Sequence, residues 1–168
     1  MTFDNIPAGL AGFVDANCLI CDATLDPTYG PACKRLLERV ENKGLTGYTS
    51  AAVLAEVSHR LMTIEAMQAF GWKSAGIALR LRNHPIQVQT LKRFRQAIQE
   101  IPLLAIRILS VDPAWLDSAA AISQQTGLMH NDALLIAAMR AQITDPAGDT
   151  HDKSLWGKGV VNDVLSFP

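Results

Sequence analysis

The chain has 168 residues, 49% of them hydrophobic and 18% charged, with a formal net charge of −1. That length fits one compact domain spanning 1–168 with a substantial core, and the composition excludes a disordered, heavily solvated polymer. No uninterrupted apolar run approaches the roughly 20 residues of a membrane span, and Met1–Ala11 lacks the regions of an export signal, so a cytoplasmic location is expected.

In chain order, Leu10 to Val14 reads as a short buried strand ending at Asp15. Pro31 to Asn42 is helical, with Leu36, Leu37 and Val40 on one side and charged residues on the rest. Gly44 is placed to end that helix as a C-cap. Leu45 to Thr49 is the next strand. Ser50 then stands where an N-cap belongs, ahead of a helix to about Met62. Ile64 to Phe70 and Ala75 to Leu81 read as short helices, broken by Gly71 and by Asn83-His84-Pro85. Gln87 to Ile101 gives a longer amphipathic helix, with Val88, Leu91, Phe94, Ile98 and Ile101 at helical spacing. Ala105 to Val111 reads as a strand. Asp112-Pro113 starts a helix that Gly127 ends, and His130 or Asn131 starts another to about Gln142.

Strands alternating with helices predict an α/β class with a mainly parallel sheet. In open sheets of that kind, functional groups gather beyond the carboxyl ends of the strands. Three acids fall near that edge in apolar settings: Asp15 after Gly12-Phe13-Val14, Glu56 within Val53-Leu54-Ala55-Glu56-Val57, and Asp132 ahead of Ala133-Leu134-Leu135-Ile136. Each has a plain structural explanation. Asp15 can cap a helix, Glu56 can pair with Arg60 four residues on, and Asp132 can complement a helix dipole. Taken together, clustered carboxylates would repel, and a divalent cation with oxygen preference, Mg²⁺ or Mn²⁺, relieves that repulsion.

The ordered set Val14-Asp15-Ala16-Asn17-Cys18-Leu19-Ile20, Thr49-Ser50 with Leu54-Ala55-Glu56-Val57, and Asp132-Ala133-Leu134-Leu135-Ile136-Ala137-Ala138 resembles PIN-domain ribonucleases, most closely the VapC-type toxins. The resemblance runs from Gly12 to Asp152. It implies an α/β/α sandwich, a metal site built by Asp15, Glu56 and Asp132, a homodimer, and inhibition by a cognate antitoxin protein. It also implies a further acid after the last central strand. Thr150-His151-Asp152-Lys153-Ser154-Leu155-Trp156 fits that outline, so Asp152 is the fourth acid, with Asp149 the substitute. The departure lies upstream, where Thr144-Asp145-Pro146-Ala147-Gly148-Asp149 makes a poor central strand.

Such a site would hydrolyse RNA phosphodiester bonds, since bound Mg²⁺ lowers the pKa of its water and neutralises phosphate charge. Asp15 and Asp132 are expected as direct ligands, Glu56 as a ligand or a residue orienting water, and Asp152 as the closing acid. Asn17 or Ser50 would support a ligand carboxylate, although capping also accounts for Ser50. Lys73, Arg80, Arg82, Lys92, Arg93, Arg95 and Arg107 face Glu100 alone across one stretch, offering either a backbone-binding surface for RNA or a solvated helical face. The other readings are a PIN nuclease of RNA maturation without an antitoxin, and an inactive PIN-like binding module.

Cys18-Leu19-Ile20-Cys21 has the spacing of a redox or zinc pair, but zinc wants four ligands and only Cys33 remains, so buried apolar roles are expected. His130 and His151 flank the acids and suit helix-end and loop positions. Ser58-His59 lacks a third partner for nucleophilic chemistry. Trp72, Trp115 and Trp156 read as core or interface residues.

Overall fold

A computed structural model describes residues 3–144. Contacts within the chain divide it into two units, Met1–Leu109 and Ser110–Pro168.

The first unit is organised by three parallel strands, β1 (Ala11–Phe13), β2 (Thr46–Ser50) and β3 (Arg107–Leu109), in the order β1-β2-β3. Phe13 lies opposite Tyr48, and Tyr48 opposite Arg107. Parallel pairing needs crossovers, and here helices supply them. α1 (Ala16–Ala23) and α2 (Gly30–Glu41) connect β1 to β2. α2 buries Cys33, Leu37 and Val40, a spacing that keeps one stripe of the helix on the core.

The end of α2 differs from its sequence reading in one detail. Lys43, not Gly44, takes the left-handed backbone conformation, with φ 58°. Gly44 instead donates its N–H to the Arg39 carbonyl at 2.8 Å, closing the last turn. The Arg39 guanidinium reaches back to the carbonyls of Phe3, at 2.6 Å, and Ile6, which pins the N-terminal segment to α2.

α3 (Ala51–Phe70) is one helix of 20 residues. The expected break between Met62 and Ile64 does not occur. Thr63 is buried and its hydroxyl donates to the Arg60 carbonyl at 2.8 Å, so its polar group is satisfied inside the helix. Gly71 ends the helix with φ 64°, as expected.

The expected helix from Gln87 to Ile101 is likewise corrected. After α4 (Ile77–Asn83), the chain forms α5 (Pro85–Thr90) and α6 (Arg93–Glu100), separated at Leu91-Lys92. Leu91 turns inward against Ala66 and Leu81, with Trp72, Phe70 and Phe94 packed around them. The Glu65 carboxylate of α3 accepts the N–H groups of Lys92, at 3.1 Å, and Arg93, at 2.9 Å. An acid from a neighbouring helix therefore caps α6, and tertiary packing overrides the periodicity. Ala105 adopts φ 58°, which delays β3 and shortens the strand expected from Ala105 to Val111.

In the second unit, α7 (Pro113–Thr126) packs against α8 (His130–Thr144). Asp112 accepts the Ala114 N–H at 2.8 Å, Pro113 occupies the first turn, and Gly127 closes the helix with φ 75°, all as the sequence predicts. Small side chains, Ala119 on α7 and Ala133, Ala137 and Ala138 on α8, are buried. No helix among the described residues is long and apolar enough to cross a membrane.

Candidate active site

The carboxyl end of β1 is tied to β2 beyond the formal strand. The Val14 N–H donates to the Tyr48 carbonyl at 2.7 Å, and the Thr49 hydroxyl donates to the Val14 carbonyl at 3.0 Å. Thr49 is 0% exposed, so this bond satisfies both a buried hydroxyl and the last backbone acceptor before Asp15. Asp15 follows at that edge, half-buried, with extended backbone. One of its carboxylate oxygens accepts the Asn17 N–H at 3.3 Å, which makes it the N-cap of α1. Capping and ligation are compatible here, because a carboxylate has two oxygens and about four lone-pair sites.

Ser50 ends β2 at the same edge, since parallel strands share their carboxyl side. Its hydroxyl accepts the Val53 N–H at 3.3 Å and caps α3. The capping role expected of Ser50 is thus the one it fills. Replacing it with alanine removes that bond, so Ser50→Ala is expected to destabilise the fold by about 1 kcal/mol. Chemical denaturation would read this, with Ser50→Thr retaining most of the stability.

Glu56 stands in the second turn of α3, with its side chain 38% exposed. Its carboxylate lies 4.0 Å from the Arg60 guanidinium, a loose and solvated pair of little energetic value. Asp132 lies in the second unit, half-buried in the first turn of α8, where the helix dipole favours a negative charge. His130 opens the same helix and is exposed. Asp152, its substitute Asp149, His151 and Trp156 lie outside the described residues.

Carboxylate oxygens are the donors a hard divalent cation takes, so the chemistry of Asp15, Glu56 and Asp132 fits Mg²⁺ or Mn²⁺. Among the described residues, no group of three or more His, Cys, Asp and Glu forms a metal-holding cluster.

Two roles go beyond what the sequence assigned. Thr49 has a signal, a threonine directly before a helix cap at a strand end. The other is the pairing of Arg107 with Tyr48: its guanidinium donates to the tyrosine hydroxyl at 3.0 Å and lies 5.6 Å from the ring centroid. Only strand register reveals that contact. Lys73, Arg80, Arg82, Lys92, Arg93 and Arg95 are all exposed, and residues 71–99 contain no acidic side chain.

No curated protein and no solved structure matches this chain. The profile of the PIN domain matches residues 12–143, most of the chain, with Asp15, Glu56 and Asp132 inside the match. Its helix-rich α/β architecture with a three-stranded parallel sheet agrees with the PIN-like α/β/α class. The chain belongs to the PIN-domain family.

Proposed function

We propose that this PIN protein is a divalent-metal-dependent endoribonuclease, the toxin of a type II toxin–antitoxin pair. PIN domains are generally metal-dependent nucleases that bind RNA, and the match covers most of this chain. The observation that carries the reading is Asp15, held by its own capping bond at the carboxyl end of β1, where parallel α/β sheets place functional groups. Asp15 and Asp132 serve as ligands of Mg²⁺ or Mn²⁺, Glu56 binds or orients water, and Asp152 completes the acidic set. The cation, when bound, neutralises charge on the scissile phosphate and activates water. The chain's own task is to fix carboxylate positions, which the Thr49–Val14 bond and the caps at Asp15 and Ser50 serve. The exposed cations between Lys73 and Arg95 hold the RNA backbone. The toxin role, the antitoxin partner and the homodimer rest on the resemblance to VapC-type proteins, and the single-domain organisation rests on chain length and composition.

A second reading is an inactive PIN-like binding module, favoured by the strand-breaking sequence Thr144-Asp145-Pro146-Ala147-Gly148-Asp149 ahead of the expected fourth acid. Incubation of single-stranded and structured RNAs with Mg²⁺ or Mn²⁺, beside a chelator control, separates the two. Cation-dependent cleavage is expected, and RNA binding without cleavage would establish the module. Induced expression in a bacterial host is expected to arrest growth. Normal growth with active enzyme would instead assign a processing nuclease without an antitoxin.

A further inference from the structure

Three cysteines, none used in the chemistry above, converge where α1 packs on α2. Cys18 and Cys21 sit one turn apart on α1, and Cys33 lies one turn into α2. The Cys33 thiol interacts with both others across this packing, more strongly with Cys18 than with Cys21. The loop between the helices is folded tightly onto Cys21. Its carbonyl accepts the Asp26 N–H at 2.9 Å, and a Cβ at Gly30 would lie 3.2 Å from the same carbonyl. That close approach places the first turn of α2, and hence Cys33, against the end of α1. Cys18 and Cys33 are buried, whereas Cys21 keeps part of its surface in solvent.

We propose that Cys21 and Cys33 are a modification site, forming a reversible intramolecular disulfide when the protein meets a peroxide. Cys21 is the sulfur a small oxidant can reach. Its thiolate attacks the peroxide, an S–O bond forms as the O–O bond breaks, and the leaving oxygen departs as water or alcohol after taking a proton. The Cys33 sulfur then attacks the Cys21 sulfenic acid. The S–S bond forms, the S–O bond breaks and water leaves, so the two thiols are oxidised and the peroxide is reduced. A thiol reductant reverses the bond by exchange.

The electrostatics divide the roles. Donation from Cys18 and Cys21 draws Cys33 below the ordinary thiol range, which suits it to the second attack. Burial, Cys33 and Asp26 push Cys21 up to about 11, against an opposing pull from Arg60 of α3. Oxidation is therefore slow at neutral pH and faster in mildly alkaline solution. The disulfide would clamp α1, whose N-cap is Asp15, onto α2.

The test is peroxide treatment of the native full chain in mildly alkaline buffer, followed by thiol counting and peptide mass mapping. The count is expected to fall from three to one, with a Cys21–Cys33 cross-linked peptide that reductant releases. Cys18→Ser should retain the cross-link and Cys33→Ala should abolish it. Because Cys33 is fully buried, the parent protein's own peptide map decides the matter if that variant fails to fold. Three thiols still free, a Cys18–Cys21 or Cys18–Cys33 pair, or a bond between chains would overturn the proposal. None of these readouts depends on nuclease activity.

Discussion

Asp15→Asn is expected to leave the protein folded while lowering RNA hydrolysis by more than about 100-fold. The design rests on the two jobs of this side chain. Its bond to the Asn17 N–H caps α1, and asparagine caps about as well as aspartate. What asparagine lacks is the negative charge a hard cation requires. Asp15→Ala removes both and should lose about 1 kcal/mol of stability as well. Melting curves and cleavage rates for the parent and both variants separate capping from chemistry. Equal cleavage by parent and Asp15→Asn would sink the catalytic assignment. Activity lost only in proportion to stability would reduce Asp15 to a cap. The same comparison applied to Asp149→Asn and Asp152→Asn identifies the fourth acid, and loss in the former alone would replace Asp152 with Asp149.

The parts of the fold legible in the sequence were those governed by local chemistry. Ser50 and Asp112 carry hydroxyl or carboxylate groups that can bond the first free N–H groups of a helix, and both do so. Gly71 and Gly127 supply left-handed backbone where α3 and α7 end. What local pattern did not reveal depends on partners distant in sequence. The break before α6 is imposed by Glu65, 27 residues upstream of Lys92, and by Leu91 packing against Leu81 and Ala66. The candidate site divides in the same way. Asp15 at the end of a strand follows from an apolar run closed by an acid. The bond that steadies it, Thr49 to Val14, spans 35 residues and exists only once β1 and β2 pair. The cysteine group is of the second kind, since Cys33 meets Cys18 and Cys21 only through the packing of α1 on α2.

At Gly47 the backbone of β2 packs tightly against Val40 of α2, and enlarging it should destabilise the first unit. A Cβ built at Gly47 would lie 2.7 Å from Val40 Cγ1 and 3.1 Å from Cγ2. Both contacts are shorter than van der Waals packing allows, and Val40, only 3% exposed, has no open space to swing into. Gly47→Ala is therefore expected to cost about 1–3 kcal/mol through overpacking, a large share of a typical domain's stability. Val40→Ala alone should also destabilise, because it removes buried methyl groups. Combined, the two changes exchange volume across one contact, so the double variant should be more stable than the sum of the single losses by about 1 kcal/mol. Urea denaturation of all four proteins measures that coupling, and strictly additive losses would show that the strand relaxes elsewhere. The effect should reach the candidate site as well. Tyr48 and Thr49, the residues after Gly47, make the two bonds that hold Val14. A displaced β2 therefore moves the backbone from which Asp15 projects, and Gly47→Ala should lower hydrolysis under conditions where the variant remains fully folded.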